Sequence, residues 1–296
     1  MTGVQTCALP ICETILVDAR RQLESQHGPI RKIRETSFCM IYKTDDRRNV
    51  LKMLRPSHIK RPKIVQRFIN AARKFRLIKS PQFLKISEIV YYKPNMLAYT
   101  LLPYFPGESL ENYLARKGLL EYDEAKRIII SVARSLMVYE KKGLCCRSLT
   151  PDNILVNRSE GTKITSFFLI RSEDSQFKSP DDQMLIPRNT APEQFVDPTK
   201  ATILSDIYSL GSIFYSLFVG EPPFTKQAYR DFLSSDYEVM PMDIQAASSK
   251  IPFAICKIIS SMIAREPKYR PKPADLILQL NHLEDSSKKI DKTMVG

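Results

Sequence analysis

The pattern of apolar and polar positions changes rhythm near Leu110. Before it, residues 14–26 place Ile15, Leu16, Ala19 and Leu23 on one side of a short amphipathic helix. Short apolar or alternating runs follow over 30–33, 39–42 and 50–54, as expected of strands with a buried face. Residues 64–78 carry helical spacing that Pro81 ends, and two more strand-like runs cover 84–92 and 96–102. From Leu110 onward the rhythm is mostly helical, with Ala125, Ile128, Ile129, Val132 and Leu136 on one stripe. Residues 206–219 are apolar almost all round, which predicts a helix buried inside its lobe. Ile255, Ile258, Ile259, Met262 and Ile263 predict another amphipathic helix, and 274–283 a last one. The polar stretch from 284 onward is expected to fray. A small strand-rich half followed by a larger helical half is an α+β outline in two lobes.

Composition narrows the class without naming a chemistry. With 43% hydrophobic and 26% charged residues among 296, the chain has the make-up of a globular protein large enough for two lobes. No apolar run approaches the roughly eighteen residues that span a bilayer, and no signal-peptide pattern is present. The six cysteines include no CxxC pair, and His27, His58 and His282 are scattered. A cytoplasmic protein with reduced thiols and no metal site is therefore expected.

The net charge of +13 is unevenly spread. Twelve basic residues lie between Arg47 and Lys79 with no Asp or Glu among them. Such a field attracts an acidic partner, with Arg61, Lys63, Arg67, Arg73 and Arg76 as the candidate contacts. A protein with an acidic surface is the expected partner. Nucleic acid or an anionic membrane would also answer the charge, but no motif supports either. A solvated basic face with no partner is the plain alternative.

One stretch gives the outline a name. Cys146-Arg147-Ser148-Leu149-Thr150-Pro151-Asp152-Asn153 resembles the catalytic loop of the Ser/Thr protein kinase family, HRDxKPxN, of the bacterial eukaryotic-like type. Downstream, Ala191-Pro192-Glu193 resembles the APE motif, and the run from Ser205 to Gly211 the start of that family's central helix. Gly220-Glu221-Pro222-Pro223-Phe224 and Arg270-Pro271 complete the signature, and Val50-Leu51-Lys52 sits where the VAIK strand belongs. The resemblance implies a two-lobed kinase-like fold: a β-rich small lobe with one long helix over 30–102, and a larger helical lobe over 103–284. A polar tail then covers 285–296. Residues 1–11, MTGVQTCALPI, resemble a translated sequencing adapter with Cys12 at the junction. That implies an artefact over 1–12, and a linker or helix over 13–29 leading from a missing upstream region.

Matched position by position, the resemblance implies impaired chemistry. The three glycine positions of the phosphate loop hold Arg34, Thr36 and Cys39, and side chains there keep a backbone away from phosphates. Lys52 is present, yet the glutamate expected to pair with it on the following helix is Ala71. The catalytic aspartate is replaced by Ser148, a hydroxyl that cannot serve as base near neutral pH. Lys163-Ile164-Thr165-Ser166-Phe167-Phe168 aligns with KITDFG, so Ser166 stands for the metal-binding aspartate. Asn153 survives as the second metal ligand, but one neutral amide is a weak site for Mg²⁺. Lys52 and Asn153 are the remaining nucleotide-binding candidates. The architectural residues Arg147, Glu193, Asp206 and Arg270 all match the family. The expectation is a pseudokinase acting as a binding, scaffolding or allosteric module, with no cofactor. The alternative is an unorthodox ATP-dependent kinase or nucleotidyl transferase, which would need ATP and Mg²⁺ held by carboxylates from elsewhere.

Overall fold

A computed structural model of the chain describes residues 9–36, 38–92, 97–147, 149–165, 171–172, 189–224 and 251–293. Two compact units emerge, one ending at Lys79 and resuming over Leu84–Pro106, the other taking Ser80–Phe83 and the chain from Gly107 on.

The first unit is built on a five-stranded antiparallel sheet in the order β1-β2-β3-β5-β4. Its strands are β1 (Ile30–Glu35), β2 (Cys39–Thr44), β3 (Asn49–Leu54), β4 (Glu88–Tyr92) and β5 (Leu97–Pro103). The expected strand over 84–92 begins only at Glu88, after a turn that opens at Pro81. Register sets the faces. Met53 lies between Met40 and Tyr99, Leu51 between Tyr42 and Leu101, so these side chains share one face while Lys52 points to the other.

The helix α1 (Leu9–His27) covers that apolar face. Ala19 and Leu23 enter the core formed by Met40, Tyr42, Leu51, Met53, Leu97, Tyr99 and Leu101, and Leu16 packs at its margin. The end of the helix is fastened by Tyr99, whose hydroxyl donates to Gln26 Oε1 at 3.0 Å and lies 2.9 Å from His27 Nε2. Burial pushes that hydroxyl up to about 12. Of the linker or helix expected over 13–29, the structure has the helix, and through Ala19 and Leu23 it contributes to the first unit's core.

On the way to β4 the chain forms α2 (Pro56–Ile59) and α3 (Pro62–Arg76), each opened by a proline whose missing N–H costs nothing there. Ile64, Val65, Phe68, Ile69, Ala71, Ala72 and Phe75 make the buried face of α3, which packs against β4 and β5.

The second unit is helical. Ser109 caps α4 (Leu110–Lys117) by accepting from the Asn112 N–H, and Gly118 ends it at φ +83°. Then come α5 (Tyr122–Glu140), α6 (Pro192–Val196), α7 (Ile203–Val219), α8 (Phe253–Met262) and α9 (Pro273–Thr293). The short strands β6 (Glu108–Ser109), β8 (Ile154–Asn157) and β9 (Gly161–Ile164) form one small sheet, and β7 (Leu144–Cys145) pairs with β10 (Arg171–Ser172). As its composition predicts, α7 is buried nearly throughout; a capping box of Thr202 and Ser205 starts it. It packs between α5 and α8, so closely that a Cβ on Gly211 would stand 2.6 Å from Met262 Cβ. The polar stretch expected to fray continues α9 as far as Thr293. No helix among the described residues is long and apolar enough to cross a membrane.

Fully buried Leu23 gives the sharpest test of α1 as a core element. Leu23→Ala is expected to cost about 2–5 kcal/mol in urea unfolding. Val17→Ala, on the 49% exposed side of the same helix, is expected to stay within about 0.5 kcal/mol of the parent.

Candidate functional site

In the second unit the segment following β7 is held from below by a buried carboxylate. Asp206, in the first turn of α7, accepts the Cys146 N–H at 2.6 Å on Oδ2 and the Arg147 N–H at 2.7 Å on Oδ1. Arg147 adopts φ +61°, a left-handed conformation that a non-glycine residue enters only when its surroundings hold it there. Burial pushes the Asp206 carboxyl up to about 7, against the two N–H donors and the Arg147 guanidinium that hold it down. Beyond the turn, Asn153 Nδ2 donates to Thr150 Oγ1 at 2.9 Å, and the Asn153 carbonyl accepts the Thr165 N–H. Ser148 and Ser166 lie outside the described residues.

Glu193 and Arg270 form the second anchor. Arg270 Nη1 and Nη2 meet the two Glu193 carboxylate oxygens at 2.7 and 2.9 Å, a bidentate pair. The remaining donors reach the carbonyls of Ala264, Arg265 and Leu204, so all five N–H groups of the buried guanidinium are used. Ser205 Oγ donates to Glu193 Oε1 at 2.6 Å, and the guanidinium lies 4.9 Å from the Tyr208 ring centroid. Also within this unit is a groove of about 680 Å³, lined by Glu111, Leu114, Leu119, Asp152, Asn189 and Pro222 among others.

In the first unit, Lys52 on β3 is half-buried, paired in register with Ile41 and Thr100. The helix that follows carries no Asp or Glu anywhere in its sequence, PKIVQRFINAARKFR. Ala71, where the family pattern has the glutamate, is 4% exposed within the apolar face of α3. Side chains also close the turn between β1 and β2. Thr36 Oγ1 accepts the Cys39 N–H at 3.0 Å, and the Thr36 N–H donates to the Cys39 carbonyl at 2.8 Å. Phe38 stacks on His58 of α2, with ring centroids 4.8 Å apart and planes 22° apart. Arg55 Nη2 pairs with Glu35 Oε1 at 2.8 Å, and Nη1 reaches the Thr36 carbonyl at 3.4 Å. The Cys39 thiol is pushed up to about 11 by burial, although the Lys52 charge opposes this, so it is neither acid nor nucleophile near neutral pH.

These residues match a known family. Residues 36–282 match the protein kinase domain. The chain belongs to the protein kinase domain family. Among curated proteins, it is 22% identical over 260 residues to the probable serine/threonine-protein kinase CPE1738 of Clostridium perfringens, covering 86% of this chain and 38% of that protein. It is 31% identical over 189 residues to the serine/threonine-protein kinase drp72 of Corynebacterium efficiens, covering 61% of this chain and 35% of that one. The kinase domain thus spans well under half the length of these relatives. Among solved structures, the PknI kinase domain of Mycobacterium tuberculosis superposes with a TM-score of 0.65 at 17% identity, over 85% of this chain and 93% of that one. The fold is the protein kinase fold. The match begins at residue 36, so α1 lies upstream of it.

Of the sequence-derived residues, the structure brings together Arg147 with Asp206 and Glu193 with Arg270. It leaves Lys52 without a carboxylate from α3. Among the five basic candidates, Arg61, Lys63, Arg73 and Arg76 are exposed, and Arg67 is half-buried. Sequence reasoning missed Glu35, Arg55 and His58, because partners twenty residues apart leave no mark in any local periodicity. The contact of Thr36 with Cys39, three residues on, was the one local signal available.

Two measurements follow from the anchors. Glu193→Ala and Arg270→Ala are each expected to cost about 3–5 kcal/mol, with the double variant costing less than the sum, by urea unfolding. Asp206 has its folded value raised above the ordinary 3.8, so its stabilising contribution is complete below that value and is lost as pH rises through about 7. The stability gap between the parent and Asp206→Asn is therefore expected to narrow from pH 5 to pH 8.

Proposed function

We propose that this chain is a catalytically impaired member of the protein kinase family, a pseudokinase that acts by binding. The observation carrying this reading is that α3 holds no carboxylate at any position. A kinase lysine is held against the α- and β-phosphates by a glutamate from this helix. Here no change of register supplies one, and the equivalent position is a buried methyl group.

The residues present do not fit Mg–ATP. The turn between β1 and β2 is closed upon itself by Thr36, stacked on His58 through Phe38, and braced by Arg55. A phosphate cradle instead needs bare, donor-bearing backbone. Asn153 offers a metal only its neutral amide oxygen, a weak ligand for Mg²⁺, and the metal-aspartate position is a serine in sequence. Meanwhile Asp206 and the Glu193–Arg270 pair preserve what supports a kinase C-terminal lobe. The groove beside Glu111 and Asp152 gives that lobe a concave surface suited to binding. Four buried free thiols, Cys39, Cys145, Cys146 and Cys256, are in keeping with a reducing, cytoplasmic setting.

Thermal melts of the full chain with ATP or ADP, each with and without Mg²⁺, test the reading together with a phosphate-transfer assay. Ligand at about 100 times Kd adds roughly 2.7 kcal/mol to stability, enough to register as a shift in Tm. No Mg²⁺-dependent shift and no transfer are expected. A shift that requires Mg²⁺, accompanied by transfer, would establish the unorthodox enzyme instead.

A further inference from the structure

The solvent face of α3 carries charge that its own helix does not want. Lys60, Arg61 and Lys63 crowd its N-terminus, the first turn has no acidic residue, and Arg61 at the N-cap makes no capping hydrogen bond. The N-terminus of a helix is the positive end of its dipole, so these cations weaken α3. At the other end Arg73, Lys74 and Arg76 complement the dipole, and local stability accounts for them. It does not account for Lys60 and Lys63. Their side chains, with those of Arg73, Arg76 and Lys79, are exposed and make no ion pair among the described residues. Between the two clusters the fully exposed positions are uncharged, Gln66 donating to Asn70 at 2.9 Å, while Arg67 is half-buried and already engaged by a contact of its own. Leu77, 71% exposed, closes the seam.

We propose that this face docks an acidic protein segment with carboxylates grouped at two places and an apolar side chain for Leu77. Lys63 and Arg73 are ten residues apart on the helix, which sets the two groups about 15 Å apart. A membrane is disfavoured because the apolar side of α3 is consumed by its own core, leaving Leu77 as the sole large apolar group on the outward seam. A nucleic-acid duplex carries charge evenly, about one per 1.7 Å, and would face the uncharged Gln66–Asn70 pair. Two separated cation clusters match carboxylates placed in two groups. The inference goes beyond impaired catalysis and does not depend on it, since transfer activity would leave this face unchanged.

The test uses the full chain and a labelled poly-glutamate peptide of about twenty residues at low salt, with a DNA duplex and phosphatidylserine vesicles as parallel arms. Replacing Lys60, Lys63, Arg73 and Arg76 by Gln is expected to weaken peptide binding about tenfold, and a matched set at Lys141, Lys142, Lys200 and Lys268 less than about twofold. Lys63→Glu alone is expected to raise Tm, by placing an acid in the first turn, while weakening peptide binding. Four results would overturn the proposal: absence of peptide binding, equal losses from both sets, a greater loss in the duplex or vesicle arm, or a lowered Tm for Lys63→Glu.

Discussion

A carboxylate buried in the first turn of an almost wholly apolar helix must be satisfied by groups brought to it, and Asp206 is satisfied by the backbone. The Cys146 and Arg147 N–H groups at 2.6 and 2.7 Å fix where the segment after β7 lies, and they hold Arg147 at φ +61°. Withdrawing the carboxylate would take two short hydrogen bonds from buried donors, one of them on the left-handed Arg147. From that contact the chain continues through Pro151–Asn153 into β8, so the geometry of the small sheet is inherited from α7. The Glu193–Arg270 pair extends the same logic to the other side of the helix. It joins the start of α6 to the chain ahead of α9 through carbonyls at Leu204, Ala264 and Arg265.

These architectural interactions bind buried groups, while the positions aligned in sequence with the family's glycine loop and helix glutamate hold Arg34, Thr36, Cys39 and Ala71. Ala71 suits its place because a methyl group packs in a dry helix face where an unpaired glutamate would be costly. Thr36 and Cys39 suit theirs because a hydroxyl three residues before an N–H closes the turn without glycine. Each replacement makes good local structure.

The first unit shows the opposite compromise at its surface. Its sheet gains a second cover from α1, with Leu23 in the core and Tyr99 tying down the helix end. Its helix α3, by contrast, carries cations at the end where the dipole makes them unfavourable. Burial explains the apolar side of α3 completely; only the outward side calls for something beyond the fold.

The sequence by itself determined the class, the order of elements and the family, because these rest on periodicity and on short runs such as Cys146 to Asn153 and Ser205 to Gly211. It also determined that no carboxylate exists on α3, a fact of composition that no packing can alter. The tertiary structure alone decided which surface the apolar side of α1 covers, since only the register of Met40, Leu51 and Tyr99 shows the sheet face that Ala19 and Leu23 enter. It alone joined Glu35 to Arg55, Phe38 to His58 and Asp206 to the backbone of 146–147. Those contacts link positions far apart in sequence, and periodicity records a helix's own turn or a strand's own pleat, never the partner across a fold.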